Sequence, residues 1–379
     1  MTSSALKRRA REARSWMLDA CFPLWSREGI GAHGLFREVL DLTHRPVETE
    51  SVRVRVQARQ TYLFCLARDL GWEPERAERL IKMGVTTLKG PARRADGILG
   101  RRLATDGLGL SDAVADLYDT AFGLFALAEA SMSGSDQALS VAESILKSVD
   151  TMLPDKTHGG YAESLPQGEH RLQNPHMHLL EACHALHKAD PDGGHLDRAK
   201  AIVALFTDKM LDPETRTLGE YFKPDWSPET GDRHEIIEPG HQFEWVWLLQ
   251  RHASLAGEAL HPAMPYLYDF ACRTIDEEGR VFTAARRDGT VTDHSRRSWM
   301  QTEGLKGHLA MLELNPDDAA IDHRAVQCFD VLMDEYLTPE GGWIDHFDAE
   351  GQVATETMPA STGYHVVLAF DELMRVAGV

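Results

Sequence analysis

No stretch of the 379-residue sequence reaches the roughly 20 apolar residues that a membrane-spanning helix needs. Basic charge is also short: 40 Lys and Arg face 59 Asp and Glu, a net charge of −19. Such a surface repels nucleic acid and anionic membrane, so neither is an expected partner. Cysteine is sparse. Cys21, Cys65, Cys183, Cys272 and Cys328 are far apart, odd in number and set in apolar helical contexts, without a CxxC pair. They read as core thiols of a reducing compartment. The N-terminus, MTSSALKRRAREARSW, lacks the apolar core of a signal peptide, so the cytoplasm is the expected location. A glycine-rich phosphate cradle of the P-loop type is missing, which removes the expectation of ATP or NAD. Period-two strand patterns are nearly absent. The exception is VRVRV (52–56), which the repeat frame described next assigns to a helix.

With 43% hydrophobic and 26% charged residues, the composition is that of a globular protein that can bury a large core. Six glycine-marked loops beat along it: GAHGLF, ADGILG, HGGYAE, TLGEYF, EEGRVF and EGGWID. Their glycines, Gly34, Gly97, Gly159, Gly219, Gly279 and Gly341, lie 63, 62, 60, 60 and 62 residues apart, the mark of a repeat architecture. Each interval holds two apolar-periodic segments. The sequence therefore predicts twelve helices, at about 3–27, 49–70, 73–90, 111–131, 134–152, 174–189, 194–211, 239–256, 261–275, 294–313, 316–336 and 359–377. Ser111-Asp112, Asn174-Pro175, Pro239-Gly240 and Asn315-Pro316 are cap-like starts. Pieces after the glycines, such as Thr283–Arg287, can form small hairpins in the loops. Six helical hairpins close into an all-α (α/α)6 barrel, which gives every helix a neighbour on both sides. An open solenoid is the alternative, but it wants polar caps and more repeats. No linker interrupts the beat, so residues 1–379 are expected to form one barrel domain.

Long loops at one end of a scaffold are where function concentrates, and each glycine loop precedes an even-numbered helix. Near the starts of those helices stand Arg59 on helix 2, Tyr118 and Asp119 on helix 4, and His178 and Glu181 on helix 6. His241 and Glu244 follow on helix 8, Trp299 and Glu303 on helix 10, and Tyr364 and His365 on helix 12. The run IEPGHQFEWVWLL (237–249) shows the conflict best. It is as apolar as a core segment, yet His241 and Glu244 share one face of it. If the even helices form the inner ring, all these side chains converge on one axial pocket. Taken singly, each is more often a cap, a satisfied core histidine or a surface arginine. Recurrence at equivalent places in six repeats outweighs that reading. His176, two positions from His178, points away on a helix and reads as structural. Arg53 and Arg55 read as a solvated face, and DPDG (190–193) and NPDD (315–318) as turns.

VQARQTYLFCLA (56–67), DLYDTAFGLFALAEA (116–130), NPHMHLLEA (174–182), EPGHQFEWVWLL (238–249), WMQTEGLK (299–306) and YHVVLAF (364–370) resemble the N-acylglucosamine 2-epimerase superfamily in order and spacing over nearly the full length. NPHMHLLEA and VQARQ look most like its mannose isomerase branch. The resemblance implies an (α/α)6 barrel that needs no metal or other cofactor and acts on a small sugar, as a monomer or homodimer. It implies that His241 and His365 are the acid/base pair, that Glu244 orients or tunes His241, and that Arg59 stabilises anionic oxygen on the substrate. His178, Trp299 and Glu303 would line the pocket, with Tyr118, Asp119 and Glu181 as further substrate contacts. PASTGYH (359–365) departs from the Lys-Pro-Asp-x-Tyr-His form of several members, which bears on specificity.

Moving a proton alpha to a sugar carbonyl needs a base near pKa 7, an acid, and stabilisation of the enediolate. Histidine supplies the first two and arginine the third. One base working between C2 and C1 makes an aldose–ketose isomerase, whereas two bases on opposite faces of C2 make a 2-epimerase. The expected reaction is D-mannose to D-fructose, with N-acylglucosamine or cellobiose 2-epimerisation as the alternative. An (α/α)6 glycoside hydrolase would use two carboxylates, for which Glu244 and Glu303 can be nominated with Trp245 and Trp299 as sugar platforms. Two central histidines suit that reading less well. A metal protein would draw on His178-x-x-Glu181 and His241-x-x-Glu244, which reverse the Glu-x-x-His order of bundle di-iron sites. A non-enzymatic sugar-binding protein is the remaining alternative.

Overall fold

In a computed structural model, which describes residues 3–379, twelve main helices alternate between an inner and an outer ring. They are α1 (4–27), α2 (Val54–Asp69), α3 (Pro74–Lys89), α4 (Leu117–Met132), α5 (Ala138–Met152) and α6 (Asn174–Ala189). The second half adds α7 (195–210), α8 (Pro239–Ala256), α9 (Met264–Cys272), α10 (Ser298–Leu314), α11 (319–336) and α12 (Thr362–Ala377). A single extra turn, Asp232–Glu235, precedes α8. The even helices form a closed circle, each packed on the next and α12 back on α2. Each also packs on the odd helix that follows it, and α12 packs on α1, so the last hairpin joins the two ends of the chain. Trp25 and Trp343 stack at 4.5 Å across this seam, a contact worth roughly 0.5–1.5 kcal/mol beyond its burial. Closure settles the architecture as an (α/α)6 barrel rather than a solenoid.

Side-chain patterning explains the rings. Outer helix α3 buries Ala77, Leu80, Ile81, Gly84, Val85 and Leu88, one stripe at helical spacing. Inner helices such as α2 and α8 are buried around most of their circumference. All the cysteines are free, and all but Cys272 are fully buried. Among the described residues, no helix is long and apolar enough to cross a membrane.

Several helices begin later than periodicity predicts. VRVRV is divided: Ser51–Arg53 is a strand paired with Arg102–Ala104, and α2 starts only at Val54. The Arg55 N–H is capped from the neighbouring helix by Asp119 at 2.7 Å, a tertiary contact with no local signature. Helices α4, α10 and α12 also lose their expected first turns to short loop strands, namely Leu110–Asp112 with Ala115–Asp116, Arg296–Arg297, and Thr357–Pro359. The cap of α4 is Asp116, which accepts from Asp119 N–H at 3.0 Å, rather than Ser111-Asp112. The expected hairpin near 283–287 is present as Ala284–Arg286 paired with Val291–Asp293.

The repeat holds, but its fourth beat is displaced. A β-bridge closes each loop at Phe36, Leu99, Tyr161, Leu218, Val281 and Trp343. Two residues before each bridge stands a left-handed residue: Gly34, Gly97, Gly159, Arg216, Gly279 and Gly341. Gly219 is not among them. Arg216 takes that place with φ 58°, which costs a side-chain-bearing residue what glycine avoids.

Candidate active site

The first turns of the six inner helices meet around a cavity of about 360 Å³. Arg59, Tyr118, His178, His241, Glu244, Trp299 and His365 all line it. Helix N-termini carry partial positive charge, so their convergence favours negative charge developing in this space.

His241 projects from the first turn of α8. Its Nδ1 lies 2.9 Å from Glu220 and 3.3 Å from Glu238. Glu220 is itself anchored, accepting from Gln173 Nε2 at 3.0 Å and from the Glu238 N–H at 3.3 Å. Burial by itself would depress the imidazole, but the charges of Glu220 and Glu238 outweigh it and raise His241 to about 10. The ring is therefore an imidazolium at neutral pH, with Nδ1–H engaged and Nε2–H left for the cavity. Glu244, expected to orient this histidine, makes no hydrogen bond to it. Its nearest ionisable neighbours are His178 Nδ1 at 3.9 Å and Lys306 Nζ at 4.0 Å. The shared helix face is real, but loop carboxylates take Nδ1 first.

His365 is set the opposite way. Its Nδ1 lies 2.9 Å from Glu303. Burial, reinforced by the charges of Arg59 and Lys306, holds it well below the usual imidazole range. It is neutral, donates Nδ1–H to the Glu303 carboxylate and keeps a bare Nε2. Trp299 stands beside both histidines, its ring centre 4.9 Å from His241 and 5.9 Å from His365.

Below the cavity lies a buried polar floor. His178 Nδ1 is 3.1 Å from Glu181, and burial lowers this imidazole to about 4. The Tyr364 hydroxyl donates to Glu181. Glu181 and Glu303 belong to this floor and not to the cavity wall. Lys306, fully buried, places Nζ 2.6 Å from Glu303. Sequence reasoning passed over Lys306, although it stands three residues after Glu303 in WMQTEGLK.

Arg59 lies with its guanidinium 4.0 Å from the Phe122 ring centre and 5.0 Å from that of Tyr364. It donates to the Tyr118 hydroxyl at 2.8 Å and to the Ser361 carbonyl at 3.2 Å. Among the described residues no carboxylate pairs with it, so its charge is available to a ligand. Arg53 and Arg55 are not a solvated face: both line the cavity mouth, Arg53 bound to Glu38 and Arg55 to Asp119. Asp119, expected to contact substrate, is wholly buried behind Arg55, which it holds at 3.0 Å while capping α2.

Glu220 is a further candidate residue that the sequence reading missed, and its signal was present. Two residues past each bridge stand Glu38, Arg101, Glu163, Glu220, Thr283 and Asp345, four acids in six repeats. Several serve the start of an inner helix: Glu38 holds Arg53, and Asp345 accepts from Ser298 Oγ at 3.1 Å and Thr362 Oγ1 at 2.6 Å. Aligning the fourth loop on Gly219 instead of Arg216 hid the equivalence. His176 is structural, as expected. Its Nε2 accepts from Tyr161 N–H at 3.0 Å, just as Gln57, Gln242 and Gln301 accept from Phe36, Leu218 and Val281.

Among the described residues, two groups have the spacing to surround a cation: His178 with Glu181 and Glu244, and His241 with Glu220 and Glu238. The first keeps the His178-x-x-Glu181 pairing that the spacing suggests and adds Glu244, whereas in the second Glu220 and Glu238 stand where Glu244 was expected. In both, the histidine Nδ1 already faces a carboxylate. The first group also has the Lys306 ammonium beside it.

A model of the N-acylglucosamine 2-epimerase (GlcNAc 2-epimerase) family matches residues 34–369. A mannose-6-phosphate isomerase of Rhizobium meliloti (strain 1021) is 31% identical over 395 residues, covering 96% of each chain. A D-mannose isomerase of Thermobifida fusca is 28% identical over 337 residues, 82% of this chain and 80% of that one. The solved cellobiose 2-epimerase of Spirochaeta thermophila superposes with a TM-score of 0.88 at 23% identity, over 98% of this chain and 97% of its own. That last likeness speaks to the fold alone.

Proposed function

Because the chain belongs to the N-acylglucosamine 2-epimerase family, a family of carbohydrate isomerases and epimerases, we propose that it converts D-mannose to D-fructose through a cis-enediol, with the whole barrel as one catalytic domain. The observation that carries this reading is the opposite poise of two histidines on one cavity, His241 charged and His365 neutral. The bare Nε2 of His365 takes the C2 proton of the open-chain sugar, exchanges it with solvent and delivers a proton to C1. The Nε2–H of His241 donates to sugar oxygen during ring opening and while the enediolate carries charge. Arg59, with Tyr118 beside it, supports the same anion. Holding its proton up to about pH 10, His241 suits a charged donor to oxygen better than a second base at carbon. This favours isomerisation over 2-epimerisation. Glycosidase chemistry is disfavoured because Glu303 sits off the cavity wall, engaged with Lys306 and His365.

A second substrate reading, mannose 6-phosphate, is favoured by Arg53, Arg55 and Arg297 at the cavity mouth and by the name of the 31% identical relative. Arg297 is the least engaged of the three, 3.6 Å from Asp345 and half exposed. The test incubates the enzyme in heavy water with mannose, mannose 6-phosphate, lyxose, N-acetylmannosamine and cellobiose. Fructose carrying solvent deuterium at C1 is the expected result with mannose. No ketose and no exchange at C1 or C2 would end the mannose reading, and conversion of the phosphate ester alone would replace it with the second.

A further inference from the structure

Lys306 is fully buried in the floor, and the reaction proposed above does not use it. Its Nζ lies 2.6 Å from Glu303 and 4.0 Å from Glu244, and stands 4.0 Å over the Trp247 ring. Glu303 reaches the other way and accepts from His365 Nδ1 at 2.9 Å. Ammonium, carboxylate and imidazole thus form one line ending at the cavity. We infer that Lys306 is a positioning residue: its buried ammonium keeps Glu303 ionised, and Glu303 in turn holds His365 with Nδ1 protonated and Nε2 bare. The assignment rests on the reading of His365 as the base.

The charges around Lys306 support this. Its ammonium feels the charges of Glu303 from its own helix, Glu244 from α8 and Glu181 from α6, and itself acts on His365 of α12. Burial and the nearby Glu303 charge raise Glu244 well above the carboxylate range, so it keeps its proton. Glu181 is ionised, because its bonds to His178 and Tyr364 overcome the effect of burial. His178 and His365 are neutral. Burial pushes the Glu303 carboxyl up, and the charge of Lys306 is the strongest effect that pulls it back. An apolar residue would fill the same volume without the desolvation cost of an ammonium, so the charge itself is what the position requires. Without it, buried Glu303 takes up a proton from solvent, keeps it, and becomes the hydrogen-bond donor to His365 Nδ1. The imidazole proton moves to Nε2, and the base is lost.

The experiment reads the tautomer on substrate-free enzyme by 15N NMR of labelled histidines, with His365→Asn identifying the signal. Wild type should show Nδ1 protonated and Nε2 bare, and Lys306→Met should reverse this. Turnover of Lys306→Met should fall about 10²–10⁴-fold, the worth of a positioned acid/base group, with KM much less affected. Glu303→Gln/Lys306→Met removes both charges together, so it decides the matter if the single variant does not fold. Its turnover should match that of Glu303→Gln alone, because residues acting as a unit are not additive. An unchanged tautomer in Lys306→Met, or a further loss of about tenfold or more in the double variant, would overturn the assignment. Because the tautomer is read without substrate, a wrong choice of sugar fails in turnover alone and leaves the NMR result standing.

Discussion

The Nδ1 of His241 meets the carboxylate of Glu220 at 2.9 Å, across 21 residues of chain, and not that of Glu244 on its own helix. Glu220 is in turn held by Gln173, the residue just before α6, so the charge state of one histidine depends on a loop and the starts of two inner helices together.

Glu220→Gln should therefore lower kcat/KM by about 10–100-fold, as a lost orienting carboxylate does. Losing a negative neighbour lowers the His241 pKa, so the alkaline limb of the pH profile should move towards neutrality. A variant with an unmoved alkaline limb would leave control of His241 with Glu238.

The kcat/KM profile of the native enzyme should have a broad plateau. His365 must be neutral to accept a proton, and burial depresses it, so activity is present above its pKa and is lost only well below pH 6.5. His241 must be charged to donate, so activity falls as pH rises through about 10. Initial rates from pH 4.5 to 10.5 would check both limbs. An acid limb centred near an unperturbed 6.5 would exclude His365 as the buried base.

Arg59→Lys should lose about 10²-fold or more in turnover with the fold intact. An ammonium cannot reproduce the planar guanidinium that lies 4.0 Å from the Phe122 ring centre while bonded to Tyr118 and Ser361. Steady-state kinetics beside a circular dichroism spectrum would show it. Normal turnover would remove Arg59 from the chemistry.

Asp119→Ala should act on stability before catalysis. The carboxylate is wholly buried, pairs with Arg55 and caps the first turn of α2. Breaking such a pair costs about 3–5 kcal/mol, measurable by denaturant unfolding. A loss below about 1 kcal/mol, the scale of an exposed ion pair, together with collapsed turnover would return Asp119 to the role of substrate contact.

By itself, the sequence determined the number of helices, which ring each belongs to and the end at which the polar residues gather. Those properties are local: helical periodicity sorts outer stripes from inner cylinders, and the cavity-lining polar residues stand towards the starts of the inner helices. Hence His241, His365, Arg59, His178, Tyr118 and Trp299 were legible as one cavity wall. Tertiary structure decided who partners whom. It drew Ser51–Arg53 into a sheet and let Asp119 cap a helix 64 residues away in sequence. It put Arg216 where a glycine was expected, which brought Glu220 under His241. It set two carboxylates on His241 and buried His365 near Arg59 and Lys306, so that two histidines of the same chemical type stand in opposite charge states. A residue's face on a helix follows from its spacing along the chain, but the carboxylate that reaches an imidazole is chosen by loops and neighbouring helices, whose positions exist only once the ring has closed.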